Sequence, residues 1–368
     1  MAEPYDIAVL AGDGIGPEIT PPCLEVMVAA VGGTDRLRFH PLPAGAGLYR
    51  DSGESLPDTT MAVAADADAI LLAAMGLPEV RYPDGREIAP QLDLRERLDL
   101  YAGMRPIRSI PGVPGPLSDR RGGELDFLLV RESTEGLFAG RGRTLYDAAR
   151  HRAYDTMTIT REASERLFRA AFVEARRRRA RGVGRGRVTC VDKANVLGGF
   201  AFFRDIFHEV AAEFDDVEAD TCYVDAMALN LVRAPWAYDV VVTENMFGDI
   251  LSDLGASLIG GMGVAPSADV GVANAVFQPS HGTAPDIAGT GRANPTAMFL
   301  SGALLLRWLG ETRDDTALVV AADRLVSAID HAFAGGMLRS TEQGGDDGVV
   351  EITTAVLGAL ETVDAVDA

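Results

Sequence analysis

The sequence predicts a two-domain α/β protein with parallel or mixed sheets and no Rossmann-type dinucleotide site. Three observations carry that expectation. Short apolar runs alternate with longer stretches of helical periodicity along the chain, the pattern of a sheet covered by helices. The length of 368 residues exceeds what one ordinary core organises. The glycines after the first apolar run, Gly12, Gly14 and Gly16, follow a GxGxG spacing that leads straight into Pro17, whereas the dinucleotide fingerprint is GxGxxG.

Taken in order, buried strands are expected at residues 7–11, 69–74, 127–130, 188–191 and 240–242, each a short apolar run bounded by turn residues. Helices are expected at 18–31, 161–181, 200–214, 247–258, 296–308 and 316–333. Residues 12–18 read as a strand-to-helix turn bordering a cleft. The Pro/Gly stretch 110–116 reads as a crossing between domains, and no internal repeat or low-complexity linker interrupts the chain. The four arginines at 176–179 read as the solvated end of a helix, where cations favour the negative pole of the dipole.

Composition narrows the function classes. Thirty-four basic residues against 54 acidic ones give a formal net charge of −20. Such a surface repels nucleic acid and anionic lipid, so neither is expected as a partner. An anionic substrate must then be held by a local cationic pocket. Cys23, Cys190 and Cys222 are odd in number and widely spaced, which argues against a disulfide framework or a zinc cluster. The N-terminus carries Glu3 and Asp6 where a signal peptide needs bases. The longest apolar run, 297–306, is too short to span a bilayer. A cytoplasmic location is expected.

Four constellations carry chemistry. In Gly248-Asp249-Ile250-Leu251-Ser252-Asp253, Asp249 and Asp253 are spaced i and i+4. On a helix their carboxylates share one face, which either meets solvent or holds a hard cation such as Mg2+ or Mn2+. Arg95 lies in a helical segment, while Arg105 and Arg131 are expected at the ends of elements. Three guanidinium forks could converge on a dicarboxylate, although each arginine alone is ordinary. Lys193 follows the apolar run ending at Val191. It is either a snorkelling lysine or, if desolvated, a group able to accept a proton. The small-residue loop from His281 through Gly282, Thr283, Ala284, Asp286 and Gly289 to Asn294 suits close approach to phosphates. Its Asp286 could accept hydrogen bonds from a ribose diol and repel a 2′-phosphate.

Together and in this order, these segments resemble the β-decarboxylating dehydrogenases, the family of 3-isopropylmalate, isocitrate, homoisocitrate and tartrate/D-malate dehydrogenases. The resemblance spans nearly the whole chain. It rests on residues 12–18, on Leu98-Asp99-Leu100-Tyr101 through Arg105-Pro106, on Val130-Arg131-Glu132-Ser133-Thr134-Glu135-Gly136, and on Asp192-Lys193-Ala194-Asn195-Val196-Leu197. It continues through Tyr223-Val224-Asp225-Ala226-Met227, residues 245–253, and His281 to Pro295. It implies an isopropylmalate dehydrogenase-like fold. Residues 1–107 plus 260–368 would form a large NAD-binding domain, and residues 108–259 a smaller dimerisation and metal/substrate domain. It implies a homodimer whose active sites are shared. Arg95, Arg105 and Arg131 would grip the carboxylates of a hydroxy diacid. Asp249 and Asp253 would bind Mg2+ or Mn2+ with Asp225 of the neighbouring subunit. Lys193, also from the neighbour, would act with Asp225 as the base. His281, Gly282, Ala284, Asp286 and Asn294 would bind NAD. Relatives that use NADP place a lysine-tyrosine pair where this chain has Asp286-Ile287.

The implied reaction oxidises a malate-type 2-hydroxy diacid, releases its β-carboxylate as CO2 and protonates the enol at C3. Here the sequence departs from the family, which usually has a tyrosine seven residues after the third arginine. This chain has Phe138, and phenylalanine has no proton to give. Three readings follow: water or another group such as Tyr101 or Tyr146 supplies the proton, the enzyme oxidises without efficient decarboxylation, or the chain is a catalytically weak binding or regulatory relative. A second departure is Gln278 where glutamate is common. The C3 substituent would meet Gln91 and Leu92, four and three residues before the first arginine. Isopropylmalate enzymes tend to be apolar at both positions, and an unmatched buried amide costs free energy. A malate with a small or polar C3 group is therefore expected, with 3-isopropylmalate as the alternative.

Overall fold

The computed structural model describes residues 3–366. Its strands are β1 (Tyr5–Gly12), β2 (Leu37–Pro41), β3 (Ala69–Ala74), β4 (Ala102–Arg108), β5 (Asp126–Glu132), β6 (Leu145–Tyr146), β7 (Ala153–Tyr154), β8 (Arg187–Asp192), β9 (Glu218–Tyr223), β10 (Val240–Thr243), β11 (Pro266–Val270) and β12 (Ala275–Pro279). Its α-helices are α1 (Gly16–Val31), α2 (Ala46–Ser52), α3 (Asp58–Asp66), α4 (Pro90–Arg97), α5 (Arg161–Ala180), α6 (Gly198–Ala211), α7 (Val224–Arg233), α8 (Asn245–Leu258), α9 (Thr296–Thr312), α10 (Thr316–Ala334) and α11 (Val349–Val366).

Ten strands form one mixed sheet in the order β2-β1-β3-β12-β11-β4-β5-β10-β8-β9. Both wings are parallel, as the continuous apolar runs require. The wings join through the antiparallel pairs β12–β11, β11–β4 and β4–β5. β6 and β7 make a separate exposed hairpin.

Helix α9 is buried on nearly all sides, between β3, β11 and β12 and the helices α1 and α10, which fits its almost unbroken apolar sequence. On the other wing, Phe168 and Phe172 of α5 pack against Phe203 and Phe207 of α6 beneath β5, β8 and β10. Each such fully buried side chain contributes about 1.5–3 kcal/mol. Helix α5 begins where the Thr160 side chain accepts from the Ala163 backbone N–H. Helix α1 begins at Gly16, two residues earlier than expected, because Pro17 suits the first turn. Among the described residues, no helix is long and apolar enough to cross a membrane.

The expected helices all form, with shifts of a few residues at their ends. The periodicity did not reveal β4, β11 or β12, whose buried positions include Arg105, Asp269 and Gln278. The 176–179 arginines are only partly a solvated helix end. Arg178 turns inward, with Nε 2.8 Å from Asp239 and Nη2 2.9 Å from Asp126. Arg176 and Arg179 clamp Asp216 from the surface.

Candidate active site

The join between the two wings carries a cluster of buried charge. Arg105 lies inside β4 rather than at the end of an element, as the sequence had suggested. Gly103 of β4 stands in register with Asp269 of β11 on one side and Arg131 of β5 on the other. Side chains alternate faces along a strand, so Arg105, two residues on, shares the face of Asp269 and Arg131. Glycine at 103 leaves room for these side chains: a Cβ there would stand 2.7 Å from Ser133 Oγ and 3.2 Å from Asp269 Oδ1.

Above this face lies a cleft of about 420 Å³. Gln91, Leu92 and Arg95 reach it from α4, Arg105 from β4, Arg131 from β5, and Asp249, Ser252 and Asp253 from α8. Gln278, His281 and Gly282 close another side, and Phe138 and Glu87 border it. The three arginines expected to meet do converge. Arg131 is pushed down to about 10 by burial and by the guanidinium groups of Arg95 and Arg105 beside it, so this corner favours an anion.

Arg131 is held rigidly. Its Nε and Nη2 donate to Asn245 Oδ1 at 3.0 and 2.7 Å, and its Nη1 donates to Asp249. Asn245 is fixed in turn by donating from Nδ2 to the Glu135 carbonyl at 2.8 Å. Helix α8 starts on the Glu244 side chain, which accepts from the Phe247 and Met246 N–H groups at 2.7 and 3.0 Å. Gly248 lets α8 approach: a Cβ there would lie 2.6 Å from Arg131 Cγ.

Asp249 and Asp253 stand one turn apart on α8 and both line the cleft. Burial, followed by the charge of Asp249, raises the pKa of Asp253. Two crowded carboxylates of this kind fit a hard divalent cation such as Mg2+ or Mn2+. Among the described residues, no three His, Cys, Asp or Glu side chains of one chain are grouped to hold a metal. Asp225, on α7, instead accepts from Lys193 Nζ, and neither residue lines the cleft of its own chain. That ion pair holds Asp225 below the usual carboxylate range. Buried Asp192 shapes the turn that presents Lys193 by accepting from the Ala194 N–H at 2.8 Å and from Arg204 Nε and Nη2 at 2.7 Å each.

The 281–294 loop is anchored by the turn after β1. The Thr283 carbonyl accepts from the Ile15 N–H at 2.9 Å, and Glu18 accepts from the Gly289 N–H at 2.9 Å. Asp13 is buried, and its carboxylate accepts from the N–H groups of Ala46, Gly47 and Gly76. The glycine-rich turn is thus a brace for the loop. His281 Nε2 is buried without a partner, and burial lowers the pKa of the ring. Ala284 adopts a left-handed conformation, with φ of 38°, while Asp286 is exposed farther along the loop. Asn294 bridges the loop to Glu342 at 2.7 Å. An orphan nitrogen, open space beside Gly282 and an exposed acid suit a dinucleotide.

Asp269 escaped the reading of the sequence. It is fully buried, and it accepts from Arg95 Nε at 2.9 Å, Arg105 Nη2 at 3.0 Å and Gln278 Nε2 at 2.9 Å. The only signal was an acid in a short segment with apolar neighbours, which reads equally well as a turn. Neither Tyr101 nor Tyr146 lines the cleft. The Tyr101 ring sits under Arg166, and Tyr146 lies on the exposed hairpin.

Residues 6–346 match the family model described as isocitrate/isopropylmalate dehydrogenase. The chain belongs to the isocitrate/isopropylmalate dehydrogenase family. This dehydrogenase is 40% identical over 357 residues to the 3-isopropylmalate/3-methylmalate dehydrogenase of Methanocaldococcus jannaschii, covering 96% of this chain and 98% of that protein. It is 42% identical over 354 residues to the 3-isopropylmalate dehydrogenase of Beutenbergia cavernae, covering 94% and 98%. The structure superposes on isocitrate dehydrogenase from Methylococcus capsulatus with a TM-score of 0.84 at 34% identity, covering 97% and 99%. The chain is therefore an oxidoreductase of the decarboxylating type, in a family that depends on NAD and a divalent metal. The fold expected from the resemblance is the fold observed.

Proposed function

We propose that this dehydrogenase carries out NAD- and Mg2+- or Mn2+-dependent oxidative decarboxylation of an (R)-malate-type 2-hydroxy diacid, giving a 2-oxo acid, with a small or polar uncharged group at C3. The convergence of Arg95, Arg105 and Arg131 opposite Asp249 and Asp253 in one cleft carries this reading. Beside them, Gln91 Oε1 is buried without a donor. Such surroundings favour a polar, uncharged substituent and disfavour a further carboxylate.

The guanidinium groups clamp the two carboxylates and fix the C2–H towards the 281–294 loop, the NAD-binding segment in this reading. Asp249 and Asp253 hold the metal with Asp225 of the partner subunit. When bound, the metal polarises the hydroxyl and stabilises the enolate, and NAD accepts the hydride. Lys193 of the partner subunit, as its neutral amine, takes the hydroxyl proton, and Asp225 accepts from the ammonium that forms. Phe138 offers no acid at C3, so water supplies that proton.

The proposed assembly is a cytoplasmic homodimer. Exposed apolar residues on α7 and α8, namely Leu229, Val232 and Ile250, and Leu145, Tyr146 and Tyr154 on the hairpin, suit burial against a second copy. In the proposed division, residues 1–107 plus 260–368 bind NAD and residues 108–259 supply the dimer contact and metal.

The relatives' names favour a second reading, 3-isopropylmalate as substrate, and Leu92, Leu72 and Met75 give the cleft apolar surface to meet an isopropyl group. NADH formation with Mn2+ across (R)-malate, tartrate, 3-isopropylmalate, isocitrate and homoisocitrate separates the two. The first reading expects (R)-malate or tartrate to give the highest kcat/KM. Preference for 3-isopropylmalate moves the assignment to the second, and preference for a tricarboxylate overturns both.

A further inference from the structure

Beneath the cleft, behind Arg95 and Arg105, lies a carboxylate with no part in the chemistry proposed above. Asp269 is fully buried, and both its oxygens are engaged: Oδ1 by Arg105 Nη2, and Oδ2 by Arg95 Nε and Gln278 Nε2. Arg105 spends its Nη1 on the Met104 and Ala268 carbonyls, at 3.1 and 2.8 Å. Arg95 and Arg105 are therefore joined through one acid, each with one edge fixed and part of its fork left for a ligand.

We propose that Asp269 is a specificity-determining positioning residue, which locks Arg95 and Arg105 into one unit and removes one positive charge from the cleft, so that the cleft selects hydroxy acids with two carboxylates over those with three. The inference rests on the reading of the cleft as a hydroxy-diacid site. The charge balance supports it. A divalent cation would offset Asp249 and Asp253, while Asp225 and Lys193 of the partner subunit, ion-paired in their own chain, would offset each other. The three guanidinium groups, less Asp269, then leave two positive charges for the substrate, which match a dianion. Without Asp269 a third carboxylate would find a third unbalanced cation. The arginine charges hold Asp269 well below the usual carboxylate range despite its burial, so it is ionised wherever the enzyme works. Gln278 belongs to the same device: it donates to Asp269 as an amide, whereas a carboxylate there would set two acids side by side.

Inert competitors test this: succinate as the dianionic probe and tricarballylate as the trianionic one, each titrated against turnover of the best hydroxy acid and by direct calorimetry. Wild type is expected to bind succinate more tightly. In Asp269→Asn the ratio should move towards tricarballylate by roughly tenfold, as an unscreened charge a few ångströms away implies, and the shift should shrink in high salt. KM for the hydroxy acid should rise more than kcat falls, because the forks lose their orientation. Equal changes for both probes, or an unchanged ratio, would overturn the proposal and leave Asp269 a structural residue. If Asp269→Asn does not fold, Gln278→Glu tests the same electrostatics: the ratio is expected to move the opposite way, and an unchanged ratio counts against the proposal. Calorimetry separates the two levels. A wild type that turns over no hydroxy diacid refutes the reaction, while the probe ratios still decide the role of Asp269.

Discussion

The guanidinium of Arg131 lies 5.3 Å from the ring centroid of Phe138. An arginine of the proposed carboxylate clamp therefore rests on a side chain that can offer a π-face but no proton. At this position the family usually carries a tyrosine, and its phenol would sit beside the same arginine.

Restoring the hydroxyl should restore an acid. In Phe138→Tyr the protonation of the enol at C3 should quicken by tenfold or more, at the lower edge of the roughly 10²–10⁴ that a positioned general acid contributes. The lag between CO2 release and appearance of the 2-oxo acid in single turnover measures it. An unchanged rate would show that protonation at C3 does not limit the wild type.

Asp269 should also govern stability in acid. Burial alone would raise its pKa, yet Arg105 and Arg95 lower it to about 2. Its folded-state pKa lies below its unfolded value, so its stabilisation is complete above about pH 4 and is lost as pH falls towards 2. The contribution at neutral pH is on the order of 2 kcal/mol. Denaturant midpoints of wild type and Asp269→Asn should differ by a constant amount between pH 7 and 5, with the gap narrowing by pH 3 and closing only near pH 2. A gap that is the same at all these values would contradict this.

Shared sites make a mixing prediction. Lys193→Ala and Asp253→Asn should each be inactive alone. Unfolded together and refolded as mixed dimers, they should regain about a quarter of wild-type activity, because a mixed dimer assembles one complete site. No recovery despite mixed dimers on native mass spectrometry would mean that each chain builds its own site.

Gly248 is a packing position for the site. The Cβ of Gly248→Ala would stand 2.6 Å from Arg131 Cγ, so α8 or the arginine must move, at a cost of about 1–3 kcal/mol. Thermal melting should fall, and KM for the hydroxy acid should rise more than KM for NAD. Equal effects on both would point to a global loss.

The sequence was most legible where physics is local. The apolar runs that became β3, β8 and β10 and the long periodic helices were found close to their ends, because burial on both faces leaves no choice of residue type. Asp249 and Asp253 were legible as a pair through helical spacing alone. The strands β4 and β11 were not, since Arg105 and Asp269 interrupt their apolar pattern. They pair with each other across the strands, a relation between residues 164 positions apart, and Arg95, Gln278 and two backbone carbonyls complete their partners. The braces Asp13 and Asp192 were not legible as braces, since their partners are backbone N–H groups and, for Asp192, an arginine of the following helix.

The most direct measurement is the stoichiometry of NADH and CO2 on the best hydroxy acid, with Mn2+, at saturating NAD. Oxidation coupled to loss of the β-carboxylate in this cleft requires one CO2 for each NADH, with both abolished by Asp253→Asn. NADH without CO2, or turnover that persists in Asp253→Asn, would contradict it.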